Sequence, residues 1–425
     1  MAQRRIFYGW WIVLASVLGL GLGTMPLVMA SFGIFMKPLI AEFGWSRTEA
    51  SAALTFHVAG IVLSAPLAGR LIDRFGARRL ILISYPLCMA VLAAQYFLTS
   101  ALAHLYASYF MIAVLGSGAS PIAYTKVICN WFERRRGLAL GLSLSGIGLG
   151  LAATSVFAQH VVSELGWRQA YVALAMLSLI VGLPVVYWLL KDHPSELGLT
   201  NDSGYRQQTP ATAAAPVFGI SPRQARRGVT FWMMVAGFGF IAIGYSGGVA
   251  HLIPLLTDRG LSAEAAAAVQ ASIGVTLVIG RLATGYLLDY VWGPLIAAIA
   301  ALATATGIGL LFLAPLGTMS YVGAALLGFA VGAEIDVMAV LVSRYFGTRY
   351  FASIFGQLNA SFFLCSALGP AVVGLSYDLT RSYAPVAPAI IAALLISAIF
   401  FLFFKPYPKP ADLAAAEASK NPHPV

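Results

Sequence analysis

Apolar residues run along this chain in long unbroken stretches. They show neither the alternation of a half-buried β-strand nor the one-sided spacing of a soluble amphipathic helix. Twelve such runs lie near 8–35, 49–69, 79–99, 104–131, 137–162, 169–190, 231–256, 264–289, 293–315, 319–346, 351–377 and 383–404, separated by short polar or basic segments. Each reaches the roughly 20 residues needed to cross about 30 Å of hydrocarbon. The pattern predicts an all-α integral membrane protein with twelve transmembrane helices. It also repeats. Pro38-Leu39, Glu42, Gly44, Ser46 and Ala50 return as Pro254-Leu255, Asp258, Gly260, Ser262 and Ala266, and Gly69, Leu71 and Asp73 return as Gly285, Leu287 and Asp289. Gly118 and Trp131-Phe132 return as Gly332 and Tyr345-Phe346, with the offset shortened by two. A duplicated membrane bundle is a transporter design rather than an enzyme design. The expected domains are two pseudo-symmetric six-helix bundles, 1–190 and 231–404, a linker at 191–230 and a tail at 405–425. The linker carries Lys191, Asp192, Pro194, Asn201, Asp202, Gln207 and Gln208, and ends in Arg223, Arg226 and Arg227. Its polar, proline-containing composition predicts partial disorder, and the tail reads the same way.

Composition agrees: 60% of residues are hydrophobic and 10% charged, against roughly 25% charged in soluble domains. The net charge of +10 raises nucleic acid as a partner, so the placement of the 26 Lys and Arg decides. With the N-terminus inside, Arg70, Arg74, Arg78, Arg79, Arg134 to Arg136, the linker cluster, Arg344, Arg349 and Lys405 all fall on the cytoplasmic side. Only Lys37, Arg47, Arg168, Arg259 and Arg381 fall outside. This is the positive-inside asymmetry of a plasma (inner) membrane protein with both termini cytoplasmic, and it excludes nucleic acid as the meaning of the basic charge. Tyr8, Trp10 and Trp11 open the first span as an interfacial belt, and that span is too long for a cleaved signal peptide. Cys88, Cys129 and Cys365 lie far apart inside spans, which indicates neither disulfides nor a zinc site. The spans hold no P-loop, no metal-spaced cluster and no nucleophile with a plausible base, so an enzyme and a cofactor are not expected. A membrane sensor would need a signalling domain, for which linker and tail are too short. The expected state is a monomer.

Four ionisable residues fall inside spans, Lys126, Arg281, Glu334 and Asp336, each at a cost of about 2.5 to 3.5 kcal/mol. Arg281 lies past the middle of span 8, and its fork of donors suits a carboxylate, either of a substrate or of the protein. Glu334 and Asp336 sit near the centre of span 10, about 200° apart around a helix, so they cannot share one face. The internal repeat aligns Lys126 with Val340, one turn from Asp336; if Lys126 faces the pathway, so does Asp336. Glu334 then faces a neighbouring helix, where Arg281, Gln357 or Asn359 could meet it. An acid beside Arg281 supplies a proton-coupling device. Lys126 lies near the end of span 4 and could equally snorkel to the interface. His57, Tyr124, Tyr245 and Asn359 are candidate cavity residues whose bland reading is packing.

The segment Gly69-Arg70-Leu71-Ile72-Asp73-Arg74-Phe75-Gly76-Ala77-Arg78-Arg79 resembles the signature loop of the major facilitator superfamily, G-x-L-x-D-R-x-G-x-R-R/K. The resemblance implies a latch formed by Gly69, Asp73, Arg74, Gly76, Arg78 and Arg79 that closes the cytoplasmic side. Its second copy, Gly285 to Gly293, keeps Asp289 and lacks the basic residues, so an asymmetric latch is expected. Tyr8-Gly9-Trp10-Trp11, Phe43-Gly44-Trp45-Ser46 and Gly280-Arg281-x-x-x-Gly285 are similar to the monocarboxylate-porter branch and its oxalate/formate relatives. That resemblance implies that Arg281 pairs with a substrate carboxylate. Leu277 and Ala30 stand where animal members place an acid and a lysine, so their coupling scheme does not transfer unchanged. The reading is secondary transport of a small carboxylate, coupled to protons, by alternating access. The alternatives are a carboxylate exchanger and a drug or metabolite exporter of the same superfamily.

Overall fold

The computed structural model describes residues 7–202 and 219–408. Among them twelve helices are long and apolar enough to span a membrane: α1 (Gly9–Phe43), α2 (Arg47–Phe75), α3 (Ala77–Phe97), α4 (Leu102–Trp131), α5 (Arg136–Leu165), α6 (Trp167–Leu189), α7 (Val229–Ala250), α8 (Glu264–Leu287), α9 (Gly293–Phe312), α10 (Thr318–Phe346), α11 (Phe351–Thr380) and α12 (Ala384–Leu402). Each coincides with one expected run. The described residues contain no strand, only an isolated bridge between Gly219 and Gly347. In hydrocarbon a helix satisfies its own backbone, which is why apolar length alone dictates the element.

Several helices outrun their apolar core because their polar ends carry their own caps. Gly44 ends α1 in the left-handed region at φ 72°, and Ser46 then caps α2: its Oγ accepts the Glu49 amide at 3.1 Å while the Glu49 carboxylate accepts the Ser46 amide at 2.8 Å. The second copy repeats the device, with Gly260 at φ 100° and Ser262 Oγ accepting the Ala265 amide at 3.2 Å. The repeated Gly-x-Ser is thus a stop followed by a start.

The chain forms two compact units, 1–135 with 142–217 and 348–357, and 136–141 with 218–347 and 358–425. Division at the linker alone therefore misses two helix starts: the first residues of α5 pack with the second unit and those of α11 with the first. In the first unit three spans are interrupted, α1 at Leu22–Gly23, α4 at a 3-10 turn over Ser117–Ala119, and α6 at a π-helical turn over Ser178–Gly182. The carbonyl of Leu22 exposed by the first break accepts Tyr85 Oη at 2.9 Å and Ser178 Oγ at 2.6 Å, so the interruption is satisfied inside the protein.

Residues 203–218 of the expected flexible linker lie outside the described residues, while both flanks are built into the fold. The Asp202 carboxylate accepts the amides of Glu133, Arg134 and Arg135 at 2.6, 2.9 and 2.7 Å, and the Ile220 amide donates to Phe346 O at 3.0 Å. The described start of the tail is also fixed, because Tyr407 Oη accepts the Gly293 amide at 2.8 Å and caps α9. These contacts tie Asp202, Ile220 and Tyr407 to the helices beside them.

Close packing in the first unit depends on backbone-to-backbone approach of α1 and α5, where a Cβ on Gly150 would overlap the Gly21 carbonyl and one on Gly146 the Val17 carbonyl. Gly148, between them, has nothing within 4 Å of its Cβ position. Gly150→Ala is expected to destabilise by about 1 to 3 kcal/mol and lower the melting temperature in detergent, whereas Gly148→Ala leaves it unchanged. Equal effects of the two would disprove the contact as the cause.

Candidate functional site

In the second unit α8 and α10 touch through glycines. A Cβ on Gly280 would overlap the Phe329 carbonyl, one on Gly328 the Ile273 carbonyl, and one on Gly332 the Leu277 carbonyl. The Gly328-x-x-x-Gly332 spacing was a legible signal for this crossing. It brings Arg281, 6% exposed, alongside α10, where Nε donates to Gly332 O at 3.4 Å and lies 3.8 Å from Asp336 Oδ2. Asp336 is 0% and Glu334 2% exposed, and neither Asp336 oxygen nor Glu334 Oε1 has a hydrogen-bond donor among the described residues. At 3.8 Å the ion pair is too long for a hydrogen bond. One guanidinium and two carboxylates with open lone pairs therefore share an apolar interior, where satisfied polar groups are the rule.

The helical-phase argument expects Asp336 and Glu334 to face different ways, and the structure sets Asp336, rather than Glu334, against Arg281. Tyr245 of α7 and Asn359 of α11 lie in the same unit as Glu334, and Asn359 is buried. Gln357 instead donates to Ser353 O of its own helix at 2.9 Å. The remaining candidates, His57 and Tyr124, belong to the first unit. His57 is buried with Nδ1 3.1 Å from Tyr109 O, which requires the Nδ1–H tautomer for a bond. Tyr124 is fully buried against Gly19 of α1, its hydroxyl without a partner among the described residues.

The signature segment is mostly helical rather than a loop. Helix α2 continues to Phe75, only Gly76 (φ 88°) breaks the chain, and Arg78 and Arg79 lie in the first turn of α3. Continuing the helix turns Asp73 inward, where its oxygens accept the Ala352 and Ser353 amides at the start of α11 at 3.1 and 2.7 Å. The cation that meets it is Lys126, not the arginines. Lys126 Nζ donates to Asp73 Oδ1 at 2.8 Å, Thr348 O at 2.7 Å and Arg349 O at 3.2 Å. That occupation of all three donors is anticipated neither by snorkelling nor by a pathway role. Arg74 lies over the Phe75 ring, and Arg78 donates to Tyr187 O at 2.8 Å. Gly69 permits the approach, since a Cβ there would overlap the Ala352 carbonyl.

The second copy performs the same task. Asp289 accepts the Gly137 and Leu138 amides at the start of α5 at 2.6 and 3.1 Å, and a Cβ on Gly285 would meet the Gly137 carbonyl at 2.8 Å. The helix-start cap is therefore shared by both copies, and Lys126, which meets Asp73 in the first copy, aligns with Val340 in the repeat. Sequence reasoning missed this role of Asp289, although conservation of Gly285 and Asp289 between the two copies was a signal. It also missed Asp192, which accepts the Arg78 amide at 2.8 Å and caps α3. Burial pushes the Asp192 carboxyl above the usual range, partly opposed by the Arg78 amide.

Comparison with known proteins places this geometry. The profile of the Major Facilitator Superfamily matches residues 18–370. Monocarboxylate transporter 13 of Bos taurus is 28% identical over 424 residues, covering 96% of this chain and 93% of that protein. Monocarboxylate transporter 11 of Mus musculus is 26% identical over 404 residues, covering 93% and 86%. The solved structure of the proton:xylose symporter XylE bound to 6-bromo-6-deoxy-D-glucose superposes with a TM-score of 0.73 at 16% identity, over 96% of this chain and 98% of that one, a likeness of fold.

Removing the buried partner of Asp73 has a defined cost. Lys126→Met is expected to destabilise by about 3 kcal/mol, and Lys126→Met with Asp73→Asn by less than the sum of the single effects, as read from melting in a double-mutant cycle. Additive effects would refute the pair. For Asp192 the raised folded-state value sets the sign: its contribution is most favourable below about pH 3.9, the ordinary aspartate value, and is lost as pH rises through the raised value. Asp192→Asn removes that loss, so its melting temperature should gain on the wild type as pH rises through this window. A difference independent of pH would refute the assignment.

Proposed function

Since the chain belongs to the major facilitator superfamily, we propose that it moves a small monocarboxylate across the membrane by alternating access, together with protons. The chain is a multi-pass membrane transporter and not an enzyme. The observation that carries the finer reading is the position of Arg281, buried in the second unit with Asp336 Oδ2 3.8 Å from its Nε. A guanidinium so placed can hold a substrate carboxylate through two parallel hydrogen bonds. Asp336, displaced from Arg281 in an apolar surrounding, takes up a proton, because a desolvated carboxylate without a cation favours its neutral form. One carboxylate and one proton then enter with no change in the net charge of the site. Glu334 is the second candidate for proton coupling, and Tyr245 and Asn359 are candidates for substrate contact. Asp73 with Lys126, and Asp289, act in this scheme as releasable caps of helix starts during the cycle. The names of the mammalian relatives support the substrate class, and the positive-inside pattern supports a plasma-membrane protein with both termini cytoplasmic.

A second reading rests on two buried acids, Glu334 and Asp336, in the unit that holds Arg281. An excess carboxylate suits a cationic solute, as in an exporter driven by proton antiport. Substrate charge separates the two. In proteoliposomes given labelled short carboxylates from formate and lactate to oxalate, an inward proton gradient should drive accumulation, and Arg281→Ala should reduce it to background. Asp336→Asn or Glu334→Gln should leave exchange but abolish gradient-driven accumulation. Retention of normal accumulation in both acid variants would overturn the coupling scheme, and transport of cations but no carboxylate would establish the exporter.

A further inference from the structure

A cavity of about 350 Å³ opens in the first unit where the start of α1, the segment between α4 and α5, and the beginning of the linker meet. Its apolar wall is an aromatic cluster in which Phe132 stands edge-on to Phe7 at 5.5 Å and to Trp10 at 5.2 Å. Its rim carries Arg134 and Arg135, both exposed, whose guanidinium groups make no hydrogen bond or ion pair among the described residues. The acid in the lining, Asp202, is already occupied by three backbone amides, which offset its charge locally. The neighbouring Glu133 accepts from Asn201 at 2.9 Å. The cavity lies on the arginine-rich side of the protein, beside the Tyr8, Trp10 and Trp11 belt that marks headgroup depth.

We propose that this cavity binds the headgroup of an anionic phospholipid. Arg134 and Arg135 hold its phosphate, and its glycerol and first acyl carbons lie on Phe7, Trp10 and Phe132. Guanidinium forks match phosphate oxygens bidentately, and a wall of rings suits an amphiphile better than a free, fully hydrated oxyanion. A bound lipid joins the start of α1 to the segment that Asp202 uses to hold the linker, so lipid binding and linker docking reinforce one another.

The test uses the full-length protein purified in detergent, incubated with equal phosphatidylglycerol and phosphatidylcholine, with bound lipid counted by native mass spectrometry. Phosphatidylglycerol retention should fall about tenfold or more in the Arg134→Gln/Arg135→Gln variant, and stay unchanged in Arg223→Gln/Arg226→Gln, which removes equal charge from the linker. Trp10→Ala, which removes no charge, should also lower retention, and millimolar inorganic phosphate should not displace the lipid. Both arginines are exposed, so an unchanged melting temperature separates lost binding from lost folding. Equal retention in the two arginine variants would reduce the effect to general basic charge and overturn the site. Full retention in Trp10→Ala would overturn the role of the rings. Displacement by inorganic phosphate would make this an oxyanion site and not a lipid site.

Discussion

A charge or a backbone polar group carried into hydrocarbon has to be met from within the protein, and this requirement sorts the buried ionisable residues into two kinds. Asp73 is met in full, by two helix-start amides and by Lys126, and Asp289 by two amides of its own. These carboxylates are met by the protein's own donors. Both oxygens of Asp336 and Oε1 of Glu334 lack a hydrogen-bond donor among the described residues, and Asp336 lies beside Arg281. Such an arrangement costs stability, and in the proposed scheme it is what leaves these groups able to exchange a proton and a solute.

Glycine makes both kinds possible. Carboxylate caps work only if a helix start can come within about 3 Å of a carboxylate on another helix, and Gly69 and Gly285 remove the side chain that would prevent it. The same device at Gly280, Gly328 and Gly332 sets Arg281 against α10. Each of these approaches uses backbone against backbone, which fixes position without large apolar side chains, an advantage where lipid competes for such contacts.

The twelve spans, the internal duplication and the family were legible because they depend on local quantities: run length, spacing and a contiguous motif. What escaped were pairings between distant positions. Lys126 and Asp73 are 53 residues apart, and nothing local tells a lysine near the end of one span that the carboxylate at the end of another lies beside it. The charges of the signature segment suggest a loop, whereas α2 runs uninterrupted to Phe75 and so turns Asp73 toward the start of α11. The ordering of the linker flanks was hidden for a related reason. Asp192 and Asp202 look like solvated loop residues until the unpaired amides they cap are known.

The crossings beside those caps also come in two copies. A Cβ on Gly356 would meet the Ala65 carbonyl at 2.5 Å in the first unit, and one on Gly141 the Arg281 carbonyl at 3.1 Å in the second. Ala65 and Arg281 are therefore the same seat in a duplicated scaffold, one holding a methyl group and the other a guanidinium. Because the crossing itself is made by main chain, the seat's side chain is free to vary. Duplication has in this way kept the backbone crossing in both halves while a guanidinium stands in only one, so that on the proposed reading the chemistry that meets the cargo can change at that seat without disturbing the crossing that carries it.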